Sequence, residues 1–154
     1  MKWFSILAAS AALAFPASPE LAGIKTVYML PMSAGLDQYL AVRLTASNLF
    51  QVVTDPQKAD AVFTDRIGAS LEESMHELFD LKPQDQDKSK NGDDGFKPTM
   101  APLSRGKGSI FLVSRTSRAI VWSIYALPKS QQAGDMNDLA RYIAEHLAKD
   151  RKGK

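Results

Sequence analysis

The sequence has no cysteine and only two histidines, and its apolar runs are short. Without cysteine the chain can form neither disulfides nor thiolate metal sites, and it offers no cysteine nucleophile and no cysteine for lipid attachment. The apolar run near the start, residues 3–15, is shorter than the roughly 20 residues that a membrane-spanning helix needs. We therefore expect no transmembrane span and no lipid anchor in the mature chain.

The charges are almost balanced, because 19 lysine and arginine residues face 17 aspartate and glutamate residues, for a net charge of +2. Nucleic-acid-binding domains are usually strongly basic, so we expect no nucleic acid as a partner. With 154 residues, 45% of them hydrophobic, the chain has the length of one ordinary domain and enough apolar residues for a core.

The first residues have the layout of a secretory signal peptide. Lys2 precedes the apolar run, and small residues and prolines follow it. Residues 12–14, Ala-Leu-Ala, are the best small-x-small cleavage motif. We assign residues 1–14 to the signal peptide and leave later cuts, up to residue 22, open. The mature protein is then expected in the periplasm or outside the cell.

Apolar periodicity predicts strands and helices along residues 24–149. Strands are expected at residues 24–32, 50–54 and 61–67 and on both sides of a hairpin turn at 115–118. Ser33 is expected to cap the first helix and Asn48 to end it, while Ser70 and Glu73 form a capping box for the second. The last helix is expected to bury a stripe made of Met136, Leu139, Tyr142, Ile143 and Leu147.

The resulting order is strand, helix, strand, strand, helix, loop, strand, strand, helix. Such a mixture predicts an α/β (α+β) sandwich, in which helices pack on a mixed sheet of about five strands. Residues 81–108 are rich in proline, glycine and charge and have no apolar periodicity, so we predict a mobile insert there. Residues 24–149 are expected to form one domain, and residues 150–154 a basic tail.

Three aspartates at five-residue spacing, Asp55, Asp60 and Asp65, invite a metal or acid–base interpretation. The local sequence favours structural roles. Asp55 precedes Pro56 and can cap a short helical turn. Asp60 lies at the junction with the third strand, and Asp65 is expected within that strand. Asp65 remains the residue of the three to test for function.

Other candidate motifs are incomplete. Residues 87–98 resemble a calcium loop, but proline stands where the bidentate acid belongs. Residues 105–109 lack the first glycine of a phosphate loop and precede a strand where that motif requires a helix. His76 and His146 lie on different predicted helices and have no second metal-ligand pair to complete a site. We expect no metal, no cofactor, no catalytic residue and no enzymatic activity.

Basic residues gather around the predicted hairpin. Arg105, Lys107, Arg115 and Arg118 could form a patch for a partner. The alternative is that these charges protect turns and edge strands from unwanted pairing. Both interpretations are open at the level of the sequence.

Three short motifs carry a resemblance to known proteins. They are Phe-x-Val-Val at residues 50–53, Ala-Asp-Ala-Val at 59–62 and Val-Trp-Ser at 121–123. The chain resembles a group of bacterial envelope domains that are similar to the N-terminal domain of TolB, to CsgG-like proteins and to penicillin-binding-protein activator (LpoB-like) lipoproteins. The resemblance implies an α/β envelope module for binding or assembly, with no catalytic residues. Many such proteins are lipoproteins, whereas this chain has no cysteine.

We therefore expect an exported, non-enzymatic periplasmic module that binds another cell-envelope protein through a sheet edge or the face around the hairpin. One alternative is an exported metal-dependent or serine hydrolase. Another is a domain that binds a small ligand or lipid between sheet and helix. The identity of the partner and the oligomeric state are left open.

Overall fold

The computed structural model describes residues 19–79 and 108–153. In chain order, its helices and strands are α1 (Pro19–Gly23), β1 (Thr26–Met29), α2 (Leu36–Ala46), β2 (Gln51–Val52), β3 (Ala61–Thr64), α3 (Ala69–Phe79), β4 (Ser109–Ser114), β5 (Ile120–Tyr125) and α4 (Ala133–Arg151). Two short 3₁₀ helices, Ser33–Gly35 and Pro56–Lys58, precede α2 and β3. The predicted α/β class and element order are confirmed, with α1 as an addition. The predicted signal peptide, residues 81–107 of the predicted insert and the calcium-loop-like segment lie outside the described residues.

The five strands form one sheet in the order β2-β1-β3-β4-β5. β1 is parallel to β2 and β3, whereas β4 is antiparallel to both β3 and β5. After β1 the chain turns to one side to form β2, and after β3 it turns to the other side to form β4. The ends of β1, β3 and β5 therefore lie beside the start of β4, at what we call the upper end of the sheet.

Apolar side chains cover both faces of the sheet. The larger core joins one face to α1, α2 and α4 and includes Leu40, Leu44, Phe63, Ile143 and Leu147. The smaller core lies under α3 on the other face and consists of Val62, Leu71, Met75 and Val113. α3 packs over β3 and β4 in the middle of the sheet. Among the described residues, no helix covers β5 on this second face.

The folded region extends beyond the predicted boundaries at residues 24 and 149. Leu21 in α1 is only 1% exposed and belongs to the larger core. At the other end, α4 continues through Arg151, whose guanidinium donates to the carbonyl oxygens of Leu49 and Ile24. The residue expected in a basic tail thus connects α4 to two distant loops.

Local interactions explain where element ends differ from the predictions. Ser33 does not cap α2, which begins after Gly35 in the left-handed conformation (φ 69°). Asn48 adopts φ 51° at the end of the same helix, as predicted. Ser70 lies inside the first turn of α3 and not at its cap, because the carbonyl of Gly68 accepts the first helical hydrogen bonds. The first three strands are shorter than predicted, since their ends turn into these caps and loops.

Candidate functional site

Arg115, predicted to bind a partner, is engaged within the fold. Its guanidinium donates to the backbone carbonyl and the side-chain oxygen of Gln57. The same group lies 4.9 Å from the centre of the Phe79 ring, in a cation–π contact. Arg115 therefore links the hairpin to the 3₁₀ helix before β3 and to the end of α3.

Of the other three residues of the predicted basic patch, the structure describes Arg118. Arg118 lies in the turn between β4 and β5 with φ 58°, and its backbone N–H donates to the carbonyl of Ser114 at 3.1 Å. Arg105 and Lys107 lie outside the described residues. A partner contact through this patch stays a prediction.

Two of the three evenly spaced aspartates have the structural roles that the sequence predicts. Asp55 caps the 3₁₀ helix by accepting the N–H of Gln57 at 2.9 Å. Asp60 precedes β3, and its Oδ2 accepts the backbone N–H groups of Lys25 at 2.9 Å and Thr26 at 3.0 Å. This carboxylate therefore ties the start of β1 to the start of β3.

Asp65 does not lie within a strand as predicted, because β3 ends at Thr64. Its Oδ2 accepts the backbone N–H of Ser33 at 2.8 Å and the hydroxyl of Ser33 at 2.7 Å. Asp60 and Asp65 thus lie at opposite ends of β3 and share no site. Within residues 19–79 and 108–153, no group of three histidine or carboxylate side chains could hold a metal ion.

Acid is expected to weaken the folded state partly through Asp60. Partial burial opposes ionisation, but the N–H groups of Lys25 and Thr26, the Thr26 hydroxyl and the charge of Lys25 outweigh it and hold the pKa of Asp60 below its ordinary value. A carboxylate with a lowered pKa stabilises the fold above its ordinary pKa and loses this contribution as the pH falls below about 4. Between about pH 5 and pH 2, the free energy of unfolding should therefore fall less in Asp60→Asn than in the parent chain. Urea unfolding at each pH measures this difference.

The control is Asp138→Asn, which removes the same charge from an exposed position on α4. Equal losses in the parent chain and in Asp60→Asn would show that the Asp60 contacts do not contribute to acid sensitivity.

The histidines show no metal-site geometry in the described part of the chain. Nδ1 of His146 lies 2.9 Å from the carbonyl oxygen of Tyr142, and the two rings are 4.0 Å apart.

Tyr142 was predicted to be part of the buried stripe of the last helix, but it is 44% exposed. The stripe instead includes Ala140 and Ala144, whose small side chains let α4 approach the core.

β5 is an open edge of the sheet among the described residues. Ile120, Ser123 and Tyr125 are exposed, with Tyr125 at 67%. Edge strands are usually protected by lysine, proline, bulges or a covering segment. The sequence of β5, Ile-Val-Trp-Ser-Ile-Tyr, contains neither charge nor proline, and its one irregularity is a register shift opposite Leu112 and Val113.

The backbone of the second half of β5 presents hydrogen-bonding groups away from the sheet. Ala126 donates its N–H to the carbonyl of Gly108 at 2.7 Å, which marks a pair that faces β4. Successive residues of an antiparallel strand alternate between facing the neighbouring strand and facing away. The N–H and C=O groups of Ser123 and Tyr125 therefore point outward. α1 contacts β5, and Glu20 of α1 accepts the hydroxyl of Ser117 just before that strand, so we take the second half of β5 as the open stretch.

A groove of about 480 Å³ lies beside this open stretch. Two tyrosines, Tyr125 and Tyr142, and the exposed Leu127 provide its apolar surface. Charged residues of both signs surround them, among them Lys129, Asp138 and Arg141. An apolar centre with a polar rim is the usual composition of a protein-binding surface. The sequence contained the pattern of β5, but not the information that this strand lies at the edge.

The chain was compared with protein-family models, curated proteins and solved structures. No match was found in any of the three comparisons. The resemblance to TolB-like envelope domains therefore stays a prediction. Among the described residues, no helix is both long enough and apolar enough to cross a bilayer.

Proposed function

We propose that the protein is an exported, non-enzymatic binding module that takes up an extended segment of another envelope protein along β5. The observation that carries this proposal is the six-residue edge strand without charge or proline, with outward backbone groups at Ser123 and Tyr125. An added strand would satisfy these groups by continuing the sheet.

An extended protein segment fits this surface better than a compact ligand does. Backbone N–H and C=O groups in a row are complementary to another backbone in the β conformation. Such pairing supplies affinity that is largely independent of sequence. Specificity has to come from side chains that alternate along the added strand.

The groove beside Tyr125 supplies a place for one of these side chains. An aromatic or branched aliphatic residue of the partner can lie between the rings of Tyr125 and Tyr142. Lys129, Asp138 and Arg141 at the rim can then select for the charge of the flanking residues. The partner is thus an extended segment with one large apolar residue and polar neighbours.

Export is supported by the first residues of the sequence, where an apolar run follows Lys2 as in secretory signal peptides. The resemblance to envelope domains points to the same compartment. Together they favour an envelope protein as the source of the added strand.

Site-specific photo-crosslinking tests this function directly. A photoreactive phenylalanine analogue at position 125 is expected to crosslink the module to one distinct protein in cells that produce the full chain. The matched control is the same analogue at Val42, which is similarly exposed, at 64%, but lies on α2. Adducts of equal yield at both positions would contradict binding through β5.

Self-association is a separate outcome of the same experiment. Two copies could pair through their β5 edges, and the adduct would then have twice the mass of the chain. Sedimentation equilibrium of the purified protein checks this outcome. A dimer whose formation accounts for all adducts at position 125 would overturn the proposal of a different partner.

A further inference from the structure

A second cavity, which shares Ala126, Leu127, Pro128 and Leu139 with the groove, opens at the upper end of the sheet. Its volume is about 380 Å³, within the range of small-molecule sites. It lies where the chain leaves β1 towards one side and β3 towards the other, the place at which open α/β sheets usually bind ligands. The starts of α2 and α4 complete its walls through Leu36 and Met136.

The walls of this cavity are mainly apolar. Ile110, Leu127 and Leu139 join Leu36 and Met136 in the lining. Gly108 closes one side, because a side chain there would meet Leu127 at 2.6 Å. A ligand that fills the cavity must therefore present an apolar body to most of its surface.

One charged group interrupts the apolar lining. The side chain of Asp65 is 10% exposed and lines the cavity. Its Oδ2 is bonded to Ser33, but its Oδ1 is buried and has no hydrogen-bond donor among the described residues. Nε of Arg66 lies 3.5 Å from Oδ1 and forms an ion pair with it, but without a hydrogen bond. The carboxylate therefore retains an acceptor that a bound molecule can use.

The turn before α2 holds Asp65 in this position. Ala34 and Gly35 have consecutive left-handed conformations, with φ 56° and 69°. Non-glycine residues rarely adopt this conformation, and such residues cluster at ligand sites. Here the turn presents the N–H and the hydroxyl of Ser33 to the same carboxylate oxygen, and the other oxygen accepts no hydrogen bond from the described residues.

We propose that this cavity binds a small molecule with an apolar body and a protonated amine. The ammonium donates to the carboxylate of Asp65, and the apolar body lies against Ile110, Met136 and Leu139. A single carboxylate suits an ammonium better than a metal ion, since a cation site for metal needs several such ligands. The hydroxyl of Ser130 and the amide of Gln131 lie in the same lining and can accept the remaining ammonium hydrogens. The cavity adjoins the groove beside β5 through Leu127 and Leu139, whereas Asp65 lines the cavity and not the groove.

Hexylamine, 1-hexanol and hexanoate share one apolar tail and differ in the head group, so they serve as probes. Isothermal titration calorimetry on the full mature chain is expected to show hexylamine binding at least about tenfold more tightly than hexanol, because a charge-assisted hydrogen bond is stronger. Hexanoate should not bind. Asp65→Asn should lower the affinity for hexylamine by at least about tenfold and leave the affinity for hexanol unchanged. Unchanged binding of hexanol also shows that the variant is folded.

Two further variants complete the test. Glu145→Gln, which removes an exposed carboxylate from α4, should leave all affinities unchanged. Ala126→Phe places a ring into the cavity lining and should abolish binding of both hexylamine and hexanol. The proposal is overturned if hexanoate binds as tightly as hexylamine, or if hexylamine retains its affinity in Asp65→Asn or Ala126→Phe. If Asp65→Asn does not fold, the relative affinities of hexylamine, hexanol and hexanoate, together with the effect of Ala126→Phe, test the proposed site.

Discussion

Replacing Leu21 with alanine is expected to lower the free energy of unfolding by about 2 to 4 kcal/mol, the usual cost of removing a fully buried leucine side chain. Leu21 belongs to the larger core and α1 contacts β5, so alanine would leave a cavity between α1 and the sheet. Urea unfolding, monitored by tryptophan fluorescence, measures the change.

Val42→Ala is the matched control, because Val42 is an apolar residue on a helix but is exposed. It should change stability by less than about 0.5 kcal/mol. If Leu21→Ala behaved like this control, α1 would not be part of the folded core. The result also bears on export, since a cut after Ala14 keeps Leu21 in the mature chain and a cut after residue 22 would remove it.

Replacing Arg151 with alanine is expected to lower the free energy of unfolding by about 2 to 3 kcal/mol, because hydrogen bonds from a charged donor and a cation–π contact are lost together. The guanidinium donates to the carbonyls of Leu49 and Ile24 and lies 4.6 Å from the centre of the Phe50 ring. The two carbonyls would lose their donors. The same urea unfolding experiment measures this loss.

Arg151→Lys separates charge from geometry. Lysine keeps the positive charge but cannot donate to two carbonyls and cover a ring with one planar group. It should therefore recover only part of the stability. Lys152→Ala, one residue further along, should be close to neutral because Lys152 is exposed. Equal effects at Arg151 and Lys152 would show that the C-terminal residues are a solvated tail after all.

The success and failure of the sequence predictions follow from the range of the interactions involved. Asp55 was placed correctly because its partner, Gln57, is two residues away. Asp65 and Ser33 are 32 residues apart, so no local pattern could reveal that they meet. Arg151 was assigned to the basic tail for the same reason, since its carbonyl partners come from distant loops.

The buried stripe of α4 shows another limit. Counting only large apolar residues included Tyr142 and left out the alanines. The core accepts Ala140 and Ala144 because the helix lies close to its neighbours there. Helical periodicity thus predicted the helix and most of its buried face, but not how closely the helix packs.

Neither candidate site was visible as a site in the sequence. The β5 pattern predicted a strand, but its position at the edge depends on strand order. Similarly, the cavity beside Asp65 exists only because strand ends and helix starts from four parts of the chain meet at the upper end of the sheet. A sheet edge was nevertheless among the surfaces expected from the sequence to bind a partner.

Strand addition at β5 can be tested by measuring the yield of the crosslink from position 125 in Ser123→Pro and Ser123→Thr backgrounds. Proline removes one outward N–H from an edge position that the sheet does not use, whereas threonine keeps it and favours the β conformation. We expect the adduct to be lost with proline and retained with threonine, while both variants unfold cooperatively like the parent chain. An unchanged adduct in a folded Ser123→Pro variant would contradict it.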